Sequence, residues 1–171
     1  WVAPQTDNSL KVKTKLCSLI ASGKAEQVGH KLRHATVDMI RKSRVAIDIL
    51  GRGYQPFGEK EEGLLPYHYS VIIENCQEDD YFTEKLLDCI LCNTIPIYWG
   101  CSNISDYFDV TGFIICNDEY ELQTSIRDLI EPSKKQLAAN LRNKATATSL
   151  SQLNTRINNT IRTQASEQLD T

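Results

Sequence analysis

The residues best suited to chemistry lie in two short stretches of the 171-residue chain. Glu74 and Asn75 close the apolar run Tyr69–Glu74, and after a polar spacer the stretch Tyr81-Phe82-Thr83-Glu84-Lys85 opens a helical pattern. A strand end running into a helix start offers backbone N–H groups and the positive end of a helix dipole, which together suit a phosphate. Lys85, in the first helical turn, opposes that dipole, and a bound anion would remove the conflict. Arg33, within Gly29-His30-Lys31-Leu32-Arg33-His34, is a second cation on the helix after the first predicted strand, within reach of the same sheet edge. Charge-assisted hydrogen bonds contribute about 1.5–3 kcal/mol each, so Arg33 and Lys85 together suit a diphosphate. Glu84 can accept from a ribose diol, as acidic residues do in nucleotide-binding sheets. Tyr81 offers a hydroxyl or a stacking face. Taken singly, a Glu-Lys pair at a helix start is an ordinary solvated surface and Asn75 an ordinary turn residue; the joint pattern carries the reading.

Other chemistries find less support. His30, His34 and His68 have no metal-ligand spacing. Cys89 and Cys92 form a CxxC inside a helical stretch with no second CxxC, which reads as buried thiols rather than zinc ligands. The six cysteines do not form a disulfide framework. Gly51-Arg52-Gly53 lacks the third glycine of a dinucleotide fingerprint, and Ser22-Gly23-Lys24-Ala25 lacks the spacing and hydroxyl of a phosphate loop. Hydride transfer and nucleoside triphosphate hydrolysis are disfavoured.

The elements that must position these residues alternate. Lys15–Ala21 reads as a buried strand. Glu26–Lys42 follows as a helix with Val28, Leu32, Ala35 and Met39 on one face, and Val45–Leu50 as a second strand closed by glycines. The stretch from Tyr54 to Pro66 reads as a surface loop. Tyr69–Glu74 is a third strand. A helix over Phe82–Cys92 follows it, with Leu86, Cys89 and Ile90 on one side and Asn93 as a left-handed stop. Thr94–Trp99 is a fourth strand, and a short turn or helix near Asn103–Phe108 leads to a fifth, Gly112–Cys116, and a helix over Glu119–Ile130. The alternation predicts an α/β fold, a Rossmann-like parallel sheet with helices on both faces, whose ligands bind beyond the strands' C-terminal ends. After Pro132 the composition turns to Ala, Ser, Thr, Asn and Gln, with Leu150, Leu153, Ile157 and Ile161 at helical spacing, which predicts one or two amphipathic helices. The expected organisation is a boundary segment over 1–14, the α/β domain over 15–131 and a helical tail over 132–171.

With 41% apolar and 24% charged residues, the chain can bury one sizeable core. No run of eighteen apolar residues suggests a membrane span. The formal net charge of −3 gives no general pull toward nucleic acid, although residues 132–171 hold six Lys/Arg against two Asp/Glu. That basic tail reads as a helical or docking face. The start at Trp1, without Met, is expected to mark a fragment boundary.

The stretch SVIIENCQEDDYFTEK, continuing into LLDCILCNTIPIYWGCSNISDYF, resembles the donor-binding motif of the family-10 glycosyltransferases, the α-1,3/4-fucosyltransferases. That pattern is an apolar strand, Glu-Asn, a polar spacer, Tyr-x-Thr-Glu-Lys, a helix, and a Pro-containing strand ending in Gly. The resemblance runs from about Cys17 through Ile130 and is most specific over residues 73–100; Cys76 stands where Ser is common. It implies the C-terminal, donor-binding half of a GT-B enzyme, transferring fucose from GDP-fucose to a glycan hydroxyl with inversion.

By position, the resemblance places Asn75, Tyr81, Glu84 and Lys85 on the GDP-fucose contacts. Glu84 falls on the ribose, Tyr81 and Lys85 near the phosphates, Arg33 on the diphosphate and Glu74 near the sugar. Arg33 and Lys85 would stabilise the leaving group. The catalytic base and the glycan-acceptor contacts are expected in an N-terminal domain outside this chain, and so is any membrane association. The chain has no Asp-x-Asp motif, so a metal-independent site without a cofactor is expected. The alternative is a non-catalytic nucleotide-sugar-binding or partner-binding module of the same fold. Asn103-Ile104-Ser105 and Asn158-Asn159-Thr160 are glycosylation sequons. The expected compartment is the cytoplasm for a bacterial or viral protein and the Golgi lumen for a eukaryotic one.

Overall fold

The structure, a computed structural model, describes residues 12–43 and 45–169, with side chains as far as residue 156. Five parallel strands form one sheet in the order β2-β1-β3-β4-β5, with β1 Lys15–Ile20, β2 Ile47–Leu50, β3 Tyr67–Ile73, β4 Ile95–Trp99 and β5 Ile114–Ile115. Helix α1 (Val28–Lys42) joins β1 to β2, α2 (Glu84–Leu91) joins β3 to β4, and α3 (Glu119–Arg127) follows β5. The last helix, α4, is continuous over Lys134–Leu169. The predicted α/β architecture is the one observed. The winding reverses between β1 and β3, which makes that edge the natural place for a ligand.

The strands' two-residue period sorts their side chains between two cores. Tyr69, Val71, Ile73, Ile95, Ile97 and Trp99 face the core shared with α1 and α3, while Ile72 and Tyr98 face the one shared with α2 and α4. On the second face Ser18 and Ser70 replace apolar residues. Their hydroxyls bond each other at 3.1 Å, and Ser18 donates to the Gly63 carbonyl at 2.7 Å. That bond pins the long segment predicted as a plain surface loop. It contains a 3-10 turn at Lys60–Gly63 and buries Leu64.

Helix α2 is buried along most of its length, Asp88 included. Beyond the expected Leu86, Cys89 and Ile90 it buries Leu87 and Leu91, because α4 covers its outer side. The tail packs differently from its apolar spacing. The fully buried residues of α4 are small or amide-bearing, namely Ala139, Asn140, Asn143, Ala147 and Ser151; of the expected apolar positions Leu150 packs, partly buried, against the same core, whereas Leu153 faces solvent. Ile157 and Ile161 lie outside the described side chains, as does the Asn158 sequon. Small residues win here because the approach is at backbone distance. A Cβ on Gly112 would fall 2.7 Å from the Asn140 nitrogen, and Asn143 bonds both the N–H and the carbonyl of Asp109.

Gly29 makes the equivalent contact for α1. Its N–H donates to the Asn75 carbonyl at 2.9 Å, and a Cβ there would lie 1.7 Å from the Glu74 carbonyl oxygen. Gly29→Ala is therefore expected to cost about 2–3 kcal/mol in urea unfolding, as overpacking against rigid backbone does. Gly23→Ala, where nothing lies within 4 Å, is expected to stay within about 0.5 kcal/mol of wild type.

Cys17, Cys89, Cys92, Cys101 and Cys116 are buried free thiols. Burial raises Cys17 and Cys89 well above the usual thiol range, Cys92 to about 12 and Cys116 to about 11, and lifts the Tyr69 phenol to about 12. The folded chain thus keeps protons that the unfolded chain releases. The stability these groups contribute is complete below the unfolded thiol value near 9 and is lost as pH rises toward the folded values. Lys13, half-buried against the Cys92 carbonyl and the Thr94 hydroxyl, is lowered by desolvation to about 8 and acts in the opposite sense, but it is one group against several. Denaturation midpoints are expected to be flat from pH 7 to 8 and to fall above pH 9, by about 1.4 kcal/mol per buried thiol per pH unit.

Candidate functional site

At the edge where β1 and β3 part, a cavity of about 400 Å³ opens. Ile20, Val71, Ile72 and Leu64 form its apolar part. Its polar lining includes Arg33, Glu84 and Lys85, three of the residues singled out from sequence, together with Lys24 and Lys60. Residues as far apart as 24 and 85 meet there because the β1–α1 and β3–α2 turns both leave the sheet on its C-terminal side.

Glu74 organises this edge from beneath. It is wholly buried, and its carboxylate accepts three hydrogen bonds, from the Thr83 N–H at 2.9 Å, the Thr83 hydroxyl at 2.7 Å and the Lys85 ammonium at 3.1 Å. Lys85 also donates to Thr83 Oγ1 at 3.0 Å, and Thr83 caps α2 by accepting from the Lys85 N–H. The conflict between Lys85 and the helix dipole is thus resolved inside the chain by a carboxylate. The Lys85 side chain keeps 29% of its surface exposed and still faces the cavity.

Arg33 reaches the same carboxylate's field from the other side. It is buried on α1 and donates through Nη2 to the Ile73 carbonyl at the end of β3. Burial lowers its pKa, and the charge of Glu74 opposes that effect. Asn75 and Tyr81 lie just beyond, both half-buried, with the Asn75 side chain near the Tyr81 phenol. Burial raises that phenol first and the Glu74 charge adds to it. The structure therefore gathers Arg33, Glu74, Asn75, Tyr81 and Lys85 around the end of β3, and Glu84 at the cavity rim.

Lys60 is a cavity residue that sequence reasoning missed. It stands 2.8 Å from the buried Asp88 and 4.0 Å from Glu84. Its only sequence signal is a lone cation among acids in Glu59-Lys60-Glu61-Glu62, a pattern that reads as solvated surface. Among the described residues no group of three His, Cys, Asp or Glu side chains converges as a metal site would require.

An all-parallel, doubly wound sheet with cations gathered at its switch point defines a Rossmann-like α/β domain. Residues 10–149 match the C-terminal region of glycosyltransferase family 10 (fucosyltransferase), and the chain belongs to that family. It is 37% identical over 59 residues to an α-(1,3)-fucosyltransferase FucT of Helicobacter pylori, a match covering 34% of this chain and 12% of that protein. It is 30% identical over 78 residues to a putative fucosyltransferase-like protein of Arabidopsis thaliana, covering 44% of this chain and 15% of the relative. Crystal structures of an α1,3-fucosyltransferase, and of one with GDP-fucose, each superpose with a TM-score of 0.58 at 24% identity, over 79% of this chain and 38% and 40% of those chains. The chain therefore spans well under half the length of these relatives.

Replacing Glu74 by Gln puts an amide donor where three donors already converge. Glu74→Gln is expected to cost about 3 kcal/mol of stability, measured by urea unfolding, because it leaves the Lys85 cation without its buried partner.

Proposed function

We propose that this domain binds GDP-fucose as the donor half of an inverting α-1,3/4-fucosyltransferase-like enzyme of GT-B architecture, acting on a glycan hydroxyl. The observation that carries the proposal is the convergence of Arg33 and Lys85, fifty-two positions apart in sequence, on one cavity at the β1/β3 switch point. A diphosphate seated there would lie between the guanidinium and the ammonium, and Glu84 at the rim would accept from a ribose hydroxyl. Tyr81 and Asn75 would close the far side.

In the transfer, the acceptor oxygen forms its bond to the anomeric carbon as the carbon–oxygen bond to the diphosphate breaks. The electron pair leaves with GDP, and the acceptor proton passes to a carboxylate base of a second, N-terminal domain. Arg33 and Lys85 act on the growing negative charge, which is stronger in the transition state than in the bound donor, and so lower the barrier. This division of labour needs neither a metal nor a cofactor, since two fixed cations supply the positive charge.

Isothermal calorimetry with GDP, GDP-fucose and guanosine tests the proposal. Arg33→Ala and Lys85→Ala, checked for folding by circular dichroism, are expected to weaken GDP about 10–100-fold while guanosine changes little. Equal losses for both ligands would contradict the phosphate assignment, and no heat with either nucleotide at millimolar concentration would overturn the donor reading.

A further inference from the structure

Asp80, immediately before Tyr81, holds a left-handed backbone with φ of 60°. Side chains tend to avoid that region, and Asp tolerates it better than most. Here it is held from outside the loop. The Asp80 N–H donates to Asn103 Oδ1 at 2.8 Å, while its carboxylate oxygen Oδ1 accepts from Asn103 Nδ2 at 2.8 Å and from the Tyr107 hydroxyl at 2.6 Å. Both partners belong to the segment between β4 and β5, more than twenty positions further along. Asn103 is fixed in turn by donating to Asp106 at 3.1 Å and by the Cys101 thiol at 3.0 Å, and Ser102 donates to Asp79.

The same two segments are joined a second time by aromatic rings. Phe82, which follows Tyr81, meets Tyr107 edge-on at 5.0 Å and Phe108 at 5.7 Å between ring centroids. Tyr81 thus sits between two anchored neighbours, Asp80 by hydrogen bonds and Phe82 by ring packing. A strained residue fixed by distant side chains beside a functional group indicates that the surrounding structure determines the loop's shape.

We infer that Asp80, Asn103 and Tyr107 form a clamp that sets the position of Tyr81 and the start of α2 for the donor, as positioning residues that do not touch it. The inference rests on the donor reading above. It also gives the Asn103 sequon a structural use. Both hydrogens of its amide are engaged, and a glycan on Nδ2 would take one of them.

The test uses the full chain with Tyr107→Phe, Asn103→Ala, Asp80→Ala and Asp80→Asn, measuring GDP affinity by calorimetry, melting temperature, and hydrogen exchange of residues 76–82. Tyr107→Phe keeps the ring contact with Phe82 and removes one hydroxyl, so it is expected to leave the melting temperature near wild type and weaken GDP about 3–10-fold. Asn103→Ala and Asp80→Ala are expected to weaken it about 10-fold or more and to speed exchange in 76–82. Asp80→Asn retains an oxygen that accepts both bonds and is expected to restore most of the loss seen in Asp80→Ala. A merely structural role would lower the melting temperature and the affinity together and would not give Tyr107→Phe its selective loss. If wild type binds GDP and all four variants bind equally well, the clamp inference alone is overturned; if wild type gives no heat with GDP, the donor reading falls and the inference with it.

Discussion

A carboxylate shut off from water at the end of β3 is the constraint on which the site is built. Isolated, such a charge would be expensive, so its environment must answer it with donors. Glu74 obtains them from Thr83 and Lys85, and in doing so it fixes where α2 begins and where the Lys85 ammonium rests. The contact also requires a bare backbone opposite. A Cβ on Gly100 would lie 2.7 Å from Glu74 Cγ, so the glycine that ends β4 makes room for the carboxylate. Arg33 is buried within the same field. One acidic side chain thus couples the ends of β3 and β4, the start of α2 and a cation on α1.

The sheet's flanks explain why these parts stay in register. Helix α1 is held to the end of β3 at backbone distance through Gly29, and α4 to the turn before β5 through Gly112. Close approach of this kind leaves little freedom to slide, since interiors are packed at crystal-like density. Helix α4 has a further role. It buries the outward side of α2, whose leucines would otherwise face water at the helix that carries Glu84 and Lys85. The helical tail is therefore integral to the site's support, although none of its residues lines the cavity.

Much of this was legible in the residues themselves. The alternation of β-branched runs with helical periods gave the strands and helices, and the Glu-Asn, Tyr-x-Thr-Glu-Lys spacing pointed to one sheet edge. What local pattern did not convey was pairing across distance. Lys85 looked like a cation awaiting an anion because its partner Glu74 lies on another element and charge periodicity is blind to it. Lys60 looked like solvated surface because only the fold brings Asp88 beneath it. The apolar spacing of Leu150 and Leu153 suggested a packing stripe; Leu150 does pack against the core, but Leu153 faces solvent and the closest contacts use Ala139, Asn143 and Ala147, whose small or amide-bearing side chains carry little hydropathy signal. Asn103, read as a sequon, proved to be bonded to Asp80 and Asp106.

The charge pattern around the cavity constrains how an anion can be held. Four cations, Lys24, Arg33, Lys60 and Lys85, line the cavity, and Glu74, Glu84 and Asp88 stand among them; three of the four have partners in the chain, Arg33 on the Ile73 carbonyl, Lys85 at 3.1 Å from Glu74 and Lys60 at 2.8 Å from Asp88. An incoming diphosphate would compete with those partners, so it would gain only the difference between the old contacts and the new ones. The site is consequently not an open patch of charge that would bind any polyanion. On the proposed donor reading it would favour a ligand that supplies acceptors to Arg33 and Lys85 and a donor to Glu84 at the same time, a requirement that a nucleoside diphosphate would meet through its phosphates and its ribose hydroxyls. A bare phosphate would meet only the first half of it, and pre-paired cations of this kind would thereby convert part of the available binding energy into discrimination.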